Sequence, residues 1–285
     1  KGGLMLLGFA FERLDFAEDS GAFSDLLIRL DIPFPEYGTA TDVEGALSIA
    51  DRIGYPVLIR PSYVLGGQGM RIAVKQEELE RYVANILKTH PENAFLIDKY
   101  LEQAIEVDVD SVYDGEQLHI AGMMQHIEPA GVHSGDSTAV IPPYSLSEEI
   151  QATIRAYQER IAEAMDIQGF LNVQYAVKDD KVYILEANPR TTRTIPFLAK
   201  ATQRPEAAIG VKVMLGAKLS EFDLESKLTC WAIKEPVFPF DKFPGVKKEL
   251  GPEMKSTGES IYFAQDFKDE HFRKPFEFKN LYLSK

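Results

Sequence analysis

Apolar residues recur at helical spacing in two long stretches of this chain. Each stripe repeats every three or four residues, which places its members on one face of an α-helix. The residues between them are largely charged or polar, as the opposite, solvent-exposed face of such a helix requires. The two stripes comprise Leu79, Tyr82, Val83 and Ile86, and Ile150, Ile154, Tyr157 and Ile161.

Helix-end signals accompany two of the predicted helices. Thr41 and Glu44 have the spacing of a capping box, and Gly54 is placed to end the helix that follows. Ser145 and Glu148 repeat this spacing in front of the second apolar stripe. The sequence therefore predicts helices that begin near residues 42 and 146.

Two pairs of extended runs are predicted to form β-hairpins. Residues 105–113 and 117–127 meet at an Asp-Gly turn, which is typical of hairpins. Residues 171–178 and 181–188 are separated by a polar Asp-Asp turn. Acidic and apolar residues alternate along 105–113, so one face of that strand is predicted to be solvated.

The order of these elements favours an α+β fold with antiparallel strand pairs over a doubly wound parallel sheet. Helical periodicity returns over 196–215, and the rest of the chain is rich in Pro and Phe with weak periodicity. No glycine motif of the P-loop or dinucleotide type follows a predicted strand. The sequence also lacks the HExxH spacing of zinc proteases and the GxSxG turn of serine hydrolases.

The composition excludes further functional classes. A formal charge of −13 over 285 residues opposes broad binding to DNA or RNA. No apolar run reaches the roughly 18 residues of a membrane span. The first residues lack the layout of a secretory signal, and the single cysteine, Cys230, fits a reducing compartment, so we expect a cytoplasmic protein that binds neither nucleic acid nor membranes. The chain does not start with Met, and we expect it to be a piece of a longer protein.

The strongest chemical signal lies in the second predicted hairpin. Glu186 and Asn188 are two residues apart, so their side chains share a face, and a two-residue turn sets Gln174 almost opposite Glu186. One carboxylate and two amide oxygens suit Mg²⁺, which leaves its other positions to phosphates and water. Arg190 and Arg193 follow at once, as they would beside a metal-bound polyphosphate. An ATP-dependent enzyme is the leading hypothesis.

Other candidate residues carry weaker signals. The backbone at Gly66 and Gly67 could approach phosphates, although an ordinary hairpin turn is the simpler explanation of that run alone. Arg60 needs an anionic partner, which is either a ligand or a structural ion pair. Glu106 could accept hydrogen bonds from a ribose, but acidic residues on a solvated strand face are common. The small residues of 131–137 form a loop of the kind that approaches ligands.

Five segments together resemble a known family. They read RPSYVLGG at 60–67, EVDVDSVYDGE at 106–116, GVHSGDS at 131–137, NVQYAV at 172–177 and LEANPR at 185–190. From about residue 8 to 259, the chain is similar to the large chain of carbamoyl phosphate synthetases, in its carboxy-terminal, carbamate-phosphorylating half. The resemblance implies an ATP-grasp fold, in which two α+β lobes with antiparallel sheets clamp a nucleotide.

The resemblance also implies where ATP and metals bind. Gln174, Glu186 and Asn188 would hold Mg²⁺ or Mn²⁺, and Asn188 would lie with Arg190 and Arg193 near the transferred phosphoryl group and its acceptor. Phosphates, adenine and ribose would contact Arg60, Gly66, Gly67, Lys99, Leu101, Glu106, Gly131, Val132, His133, Ser134, Gln174 and Glu186. Potassium, the monovalent cation of the family, would lie among Glu106, His126, Glu128, Val132 and Ser137.

The reaction implied by the resemblance is phosphorylation of carbamate, itself derived from bicarbonate, to give carbamoyl phosphate and ADP. Metals and arginines would neutralise the repulsion between two anions, and a closing glycine flap would exclude water. The implied partners are the amino-terminal half of the large chain and the glutaminase small subunit, which act together in glutamine-dependent synthesis for the arginine and pyrimidine pathways.

Three positions depart from the family pattern and keep alternatives open. Pro129 replaces a polar residue in the proposed potassium loop. Ser20 and Gln68 stand where the family has arginines, so two positive charges near the phosphates are missing. One alternative is an ATP-binding or assembly module with weak or no chemistry. Another is a different ATP-grasp ligase that joins a carboxylate to an amine.

The sequence predicts a chain of three parts. Residues 1–23 are a segment from a preceding domain, 24–215 are the ATP-grasp domain, and 216–285 are an extension packed on that core. Within the second part, the lobe that carries the flap is predicted at about 60–130.

Overall fold

A computed structural model describes residues 20–61, 67–89, 94–242, 245, 248–266 and 270 of the chain. Two antiparallel sheets with helices packed against them make up this part, which confirms the predicted α+β class. None of the described helices is long and apolar enough to cross a membrane. The helices are α1 (Ser20–Arg29), α2 (Val43–Ile53), α3 (Gln76–Thr89), α4 (Glu148–Ala164), α5 (Ile195–Thr202) and α6 (Glu206–Met214), with 3₁₀ turns at Ser134–Asp136 and Leu219–Glu221.

The described strands belong to a small and a large sheet. They are β1 (Tyr37–Ala40), β2 (Val57–Pro61), β3 (Arg71–Ala73), β4 (Phe95–Lys99), β5 (Ile105–Tyr113), β6 (Leu118–Pro129), β7 (Ala139–Ile141), β8 (Gly169–Lys178), β9 (Lys181–Asn188), β10 (Trp231–Val237) and β11 (Gly258–Ala264). The small sheet has the order β1-β4-β2-β3, and the large sheet has the order β11-β10-β7-β6-β5-β8-β9. Every strand pair is antiparallel in the described residues.

The small sheet packs against α2 and α3. Val57 and Ile59 of β2 lie on the same strand face and are fully buried. They share one core with Ala46 of α2 and with Leu79 and Val83 of α3, which confirms the first predicted stripe. Burying such side chains supplies roughly 1.5–3 kcal/mol each, so this lobe has a core of its own.

The large sheet is covered on one face by α4. Its stripe of Ile150, Ile154 and Ile161 packs in one core with Val107 of β5 and Val173 of β8, as predicted. Because side chains alternate along a strand, the neighbours of these valines lie on the other face of the sheet. That other face carries the polar residues of the candidate site.

The hairpin of β8 and β9 closes with the predicted turn, and its register shifts by one residue between Tyr175 and Gln174. Asp179 and Asp180 have φ values of 51° and 57°, as a type I′ turn requires. Gln174 pairs with Glu186 across the strands. The sequence expectation for this pair is therefore confirmed.

The exact starts of two helices differ from the prediction. Asp42, not Thr41, caps α2, because its carboxylate accepts a hydrogen bond from the backbone three residues on at 2.7 Å. Ser147, not Ser145, caps α4 in the same way at 3.2 Å. Neighbouring residues can each act as a cap, and the one that caps has an extended backbone that brings its side chain to the free amide three residues on. Gly54 ends α2 as predicted.

The carboxy-terminal third contains more structure than its pattern indicates. The helix predicted over 196–215 is two helices, because Gln203 adopts a left-handed conformation and Pro205 cannot continue a helix. Strands β10 and β11 were not predicted at all. They are held by pairing with β7 and with each other, a long-range contact that local periodicity does not report.

The chain passes from the small sheet to the large sheet near residue 100. The small sheet lies between Tyr37 and Lys99, whereas β5 and β6 over 105–129 belong to the large sheet. The change therefore falls inside the predicted lobe of about 60–130. Strands β10 and β11, within 216–285, continue the large sheet. The three-part division of the chain stays a prediction, and most of its first part lies outside the described residues.

Candidate active site

The second hairpin brings the three predicted metal ligands together at one edge of the large sheet. Gln174 and Glu186 are paired, and the Asn188 amide donates to Glu186 Oε1 at 2.8 Å. Glu186 is exposed and the two amides are half-buried. One carboxylate and two amide oxygens fit Mg²⁺ or Mn²⁺, which prefer oxygen ligands. Among the described residues, no three His, Cys, Asp or Glu side chains are grouped so that they could hold a metal ion. A cation at this position would therefore need the two amides as ligands.

Both predicted arginines lie beside this set. Arg190 Nη2 donates to Asn188 Oδ1 at 3.1 Å, and Arg193 Nη1 contacts the Met254 sulphur at 2.8 Å. Both side chains are exposed. A Cβ on Gly135 would lie 3.0 Å from Arg193 Nη2, so glycine leaves room for the guanidinium group. Two permanent positive charges beside a metal-type donor set suit a phosphate.

His133 and Ser134 bring the pocket loop against the metal ligands. The Gln174 amide donates to Ser134 Oγ at 3.3 Å. His133 caps the short turn that follows, and its Nδ1 accepts from the Gly135 N–H group at 3.0 Å. Burial lowers the pKa of His133, which keeps the ring neutral and able to accept this bond. These hydrogen bonds hold the loop against Gln174.

Gly131 and Val132 form the first part of the same loop. Gly131 has φ +100°, and a Cβ there would lie 2.5 Å from the Tyr100 ring, so glycine is required on both counts. Its N–H group hydrogen-bonds the Glu106 carboxylate. Val132 is buried. The structure thus joins this loop to the start of β5, where ribose binding is predicted.

Only part of the predicted flap can be described. Gly66 lies outside the described residues. Gly67 has φ +69°, and a Cβ there would lie 2.0 Å from the Pro252 carbonyl oxygen. The His133 N–H group donates to the Gly251 oxygen at 2.8 Å, so one segment meets both the flap and the pocket loop. Gln68 is exposed and faces solvent.

Arg60 forms the structural ion pair that the sequence left open as an alternative. Its Nε and Nη2 atoms donate to the Asp98 carboxylate at 2.6 and 2.9 Å. Burial alone would lower the pKa of Arg60, but Asp98 outweighs it and Glu186 adds to the rise. The ion pair with Asp98 fixes the Arg60 guanidinium group within the electrostatic influence of Glu186. A contact of Arg60 with phosphates stays a prediction.

Lys99 and Leu101 lie where the chain crosses between the sheets. The Lys99 ammonium donates to the Gly54 and Tyr55 carbonyl oxygens, both at 3.0 Å, and is thereby directed toward the end of α2. Leu101 packs on a small apolar cluster that includes Ala130. An adenine contact of this segment stays a prediction.

The acidic face of β5 is buried, so the expectation of a solvated face is wrong. Glu106, Asp108 and Asp110 are at most 4% exposed. Burial raises the pKa of Glu106 well above its ordinary value, and the Asp108 charge adds to this rise. Burial alone would also raise the pKa of Asp108, but the interaction with His126, 3.7 Å away, and a hydrogen bond from Asn172 lower it. The chain returns over this face after β9, which alternation cannot reveal.

Negative charge is in excess around His126. Glu106 Oε1 lies 3.5 Å from His126 Nδ1, and within the described chain that nitrogen has no hydrogen-bond partner. Burial raises the pKa of Glu128 to about 7, although a backbone N–H group binds it at 2.6 Å. The potassium site, which by resemblance adds Val132 and Ser137, stays a prediction.

Sequence analysis missed three buried residues that support the site. Asn172 donates to Asp108 at 2.8 Å, and its Oδ1 accepts from the Asn188 amide at 3.4 Å. Lys234 Nζ donates to the Ser134 carbonyl oxygen at 3.0 Å. Asp108 and Asn172 could have been found, because each lies two residues from a predicted site residue on its strand. Lys234 lies in a weakly periodic tract without any such signal.

Comparison with known proteins decides the family. The family described as carbamoyl-phosphate synthase L chain, ATP binding domain, matches residues 19–222. The chain belongs to this family. The match spans all predicted site residues from Arg60 to Arg193, and the resemblance stated from the sequence is confirmed.

Similar relatives are longer proteins. The carbamoyl phosphate synthase large chain of Archaeoglobus fulgidus is 54% identical over 267 residues, which is 93% of this chain and 25% of the relative. The C-terminal section of that large chain in Methanocaldococcus jannaschii is 51% identical over 283 residues, which is 95% of this chain and 46% of the relative. The chain therefore spans about a quarter to a half of the length of these relatives.

Solved structures of several enzymes share the fold of this chain at low sequence identity. Biotin carboxylase from Campylobacter jejuni has a TM-score of 0.72 at 16% identity and covers 96% of this chain and 75% of its own. Carboxyaminoimidazole ribonucleotide synthase from Aspergillus clavatus, complexed with ATP, has a TM-score of 0.75 at 12% identity with the same coverage. The ATP-grasp fold predicted from the sequence is thereby confirmed.

Proposed function

We propose that this chain phosphorylates carbamate with ATP to give carbamoyl phosphate and ADP, as an ATP-dependent ligase within a larger synthase. The observation that carries the proposal is the convergence of Gln174, Glu186 and Asn188 beside Arg190 and Arg193. Membership of the family supports the same reaction. It also disfavours another ATP-grasp carboxylate–amine ligase.

The proposed mechanism needs charge neutralisation and alignment rather than a protein nucleophile. Glu186, Gln174 and Asn188 would hold Mg²⁺ or Mn²⁺, which when bound neutralises phosphate charge. Arg190 and Arg193 would place positive charge where the carbamate oxygen meets the γ-phosphate.

Nucleotide binding would use the surroundings of this centre. Arg60, oriented by Asp98, would approach the phosphates from the small-sheet side, and Gly67 would allow the flap backbone to close over them. Glu106 would accept the ribose hydroxyl groups. A closed flap would keep water from a carbamate and an acyl phosphate that decompose in it.

The proposed context is a multi-part enzyme. The amino-terminal half of the large chain would supply carbamate, and a glutaminase small subunit would supply ammonia. The support is that the relatives are large chains of which this chain matches only a section. We place the assembly in the cytoplasm, in the arginine and pyrimidine pathways.

The proposed function is tested by the reverse reaction. We expect the chain with Mg²⁺ to form ATP from ADP and carbamoyl phosphate, because this step needs neither ammonia nor the other half of the large chain. ATP is measured with a coupled luminescence assay, and MgATP binding by calorimetry. Binding without ATP formation would favour the nucleotide-binding module that Ser20 and Gln68 motivate. Absence of both would contradict an ATP-grasp function for this chain.

The potassium site gives a separate prediction. Replacing choline chloride by potassium chloride at ten times the dissociation constant should stabilise the fold by about 1.4 kcal/mol. For a chain of this size, the melting temperature should rise by roughly 2–3 °C. Glu128→Gln should reduce this rise, because it removes a buried carboxylate from the cluster. Equal melting temperatures in choline chloride and in potassium chloride would show that no specific potassium site exists.

A further inference from the structure

Asp110 is a buried carboxylate for which neither the sequence nor the family resemblance gave a role. It lies on β5, two residues beyond Asp108, and is 2% exposed. Its Oδ1 accepts a hydrogen bond from the Thr192 hydroxyl at 2.7 Å. Its Oδ2 accepts one from the Thr194 hydroxyl. The two threonines are the immediate neighbours of Arg193 on either side.

We propose that Asp110 is a positioning residue, which holds Arg193 in place by binding the hydroxyl groups on both sides of it. The inference rests on the proposed function, in which Arg193 meets the transferred phosphoryl group. Arg193 is exposed, and its contact with Met254 is to sulphur, a weak acceptor. Its direction therefore depends on the backbone that carries it, and Asp110 fixes that backbone at two adjacent points.

Helix α5 lacks a side-chain hydrogen bond at its N-cap. Thr194 occupies the N-cap position of α5, where a threonine side chain usually accepts a hydrogen bond from the first turn. Its hydroxyl makes no such bond and donates to Asp110 instead. A residue selected for helix stability alone would cap the helix. The Thr194 hydroxyl is thereby bound to β5 rather than to the first turn of α5.

The charge on Asp110 is a second sign that stability is not its purpose. Burial and the Asp108 charge raise the pKa of Asp110 to about 7, although hydrogen bonds from both threonines and Asn172 oppose them. Asp114, at the end of the same strand, accepts three backbone N–H groups, which lower its pKa. The fold thus gains from a charge at Asp114 and loses from one at Asp110.

The test compares Asp110→Asn with Asp114→Asn in the same chain. For Asp110→Asn we expect kcat of the reverse reaction to fall about 10- to 100-fold, because a misplaced arginine costs alignment. The KM for MgADP should stay within about twofold, since Arg193 meets the transferred group rather than the nucleotide. The melting temperature at pH 8 should not fall. Asp114→Asn should show the reverse pattern, with a lower melting temperature and unchanged kcat.

The threonines provide a matched pair of variants. Thr192→Val with Thr194→Val removes both hydroxyl groups at nearly constant shape and should reproduce the loss of kcat. Thr192→Ser with Thr194→Ser keeps the hydroxyl groups and should recover most of it. Equal kcat in the valine and serine variants would overturn the proposal, as would an Asp110→Asn protein with parental kcat.

A second readout separates this inference from the proposed function. Calorimetry gives the affinities for MgATP and MgADP, and Asp110→Asn should weaken MgATP binding while MgADP binding stays the same. This comparison needs no turnover. A parent chain without reverse activity would contradict the proposed function, and the ATP-to-ADP affinity ratio would still decide the role of Asp110. An unchanged ratio in Asp110→Asn would then reject that role.

Discussion

Replacing Glu186 by Gln is expected to abolish ATP formation from ADP and carbamoyl phosphate, lowering kcat by roughly 10³-fold. Glu186 is the one carboxylate among the three proposed metal ligands, and it also accepts the Asn188 amide at 2.8 Å. Glutamine keeps the shape of the side chain but removes the negative charge that attracts a divalent cation. The variant should therefore fold normally and fail to bind the metal–nucleotide complex in productive geometry.

The measurement is the rate of ATP formation over a range of Mg²⁺ concentrations. Excess metal should restore only part of the rate, because the missing ligand also sets the geometry of the phosphates. Glu163→Gln is a suitable control, since Glu163 is an exposed residue near the end of α4, which packs on the face of the large sheet opposite the proposed ligands. Parental turnover in Glu186→Gln would exclude the proposed metal site, whatever the family of the chain.

Replacing Gly67 by Ala should lower kcat/KM roughly 100-fold, because the free energy needed to close the flap rises by about 3 kcal/mol. Two effects add. The φ of +69° strains any residue with a Cβ, and that Cβ would lie 2.0 Å from the Pro252 carbonyl oxygen. Because the obstructing atom belongs to the backbone, the flap must move away from Pro252, and closure over the phosphates is lost.

Gly115→Ala separates the two effects in the Gly67 experiment. Gly115 has φ +87°, but a Cβ there would meet nothing within 4 Å. It should therefore lose a little stability through backbone strain and keep its kcat/KM for MgADP. Similar losses of kcat/KM in the two variants would indicate general destabilisation rather than a specific role of the flap.

The buried acids show why this fold carries charges at a cost. Glu106, Asp110 and Glu128 are all buried, and burial raises the pKa of each. Unfolding releases these groups to water, where they ionise more readily, so they oppose folding at neutral pH. A bound cation would reverse this effect for Glu106 and Glu128. For Asp110, we infer that the unfavourable contribution to folding is tolerated because this residue holds Arg193 in position.

The sequence alone determined the local features of the site. A period of two on β9 placed Glu186 and Asn188 on one face, and a two-residue turn placed Gln174 within one residue of the position opposite Glu186. The first relation depends only on neighbours along the chain, whereas the exact pairing of Gln174 also depends on a register shift between Gln174 and Tyr175 that the sequence pattern does not indicate. The apolar stripes of α3 and α4 were fixed in the same local way.

Only the tertiary structure decided what surrounds those residues. The acidic face of β5 is buried because the loop after β9 returns to it, and Lys234 reaches Ser134 from a strand 100 residues away. The partner of Arg60 is Asp98, although the sequence allowed a ligand as well. Such contacts join segments that are distant along the chain, and periodicity records only which face a side chain occupies, not what packs against that face.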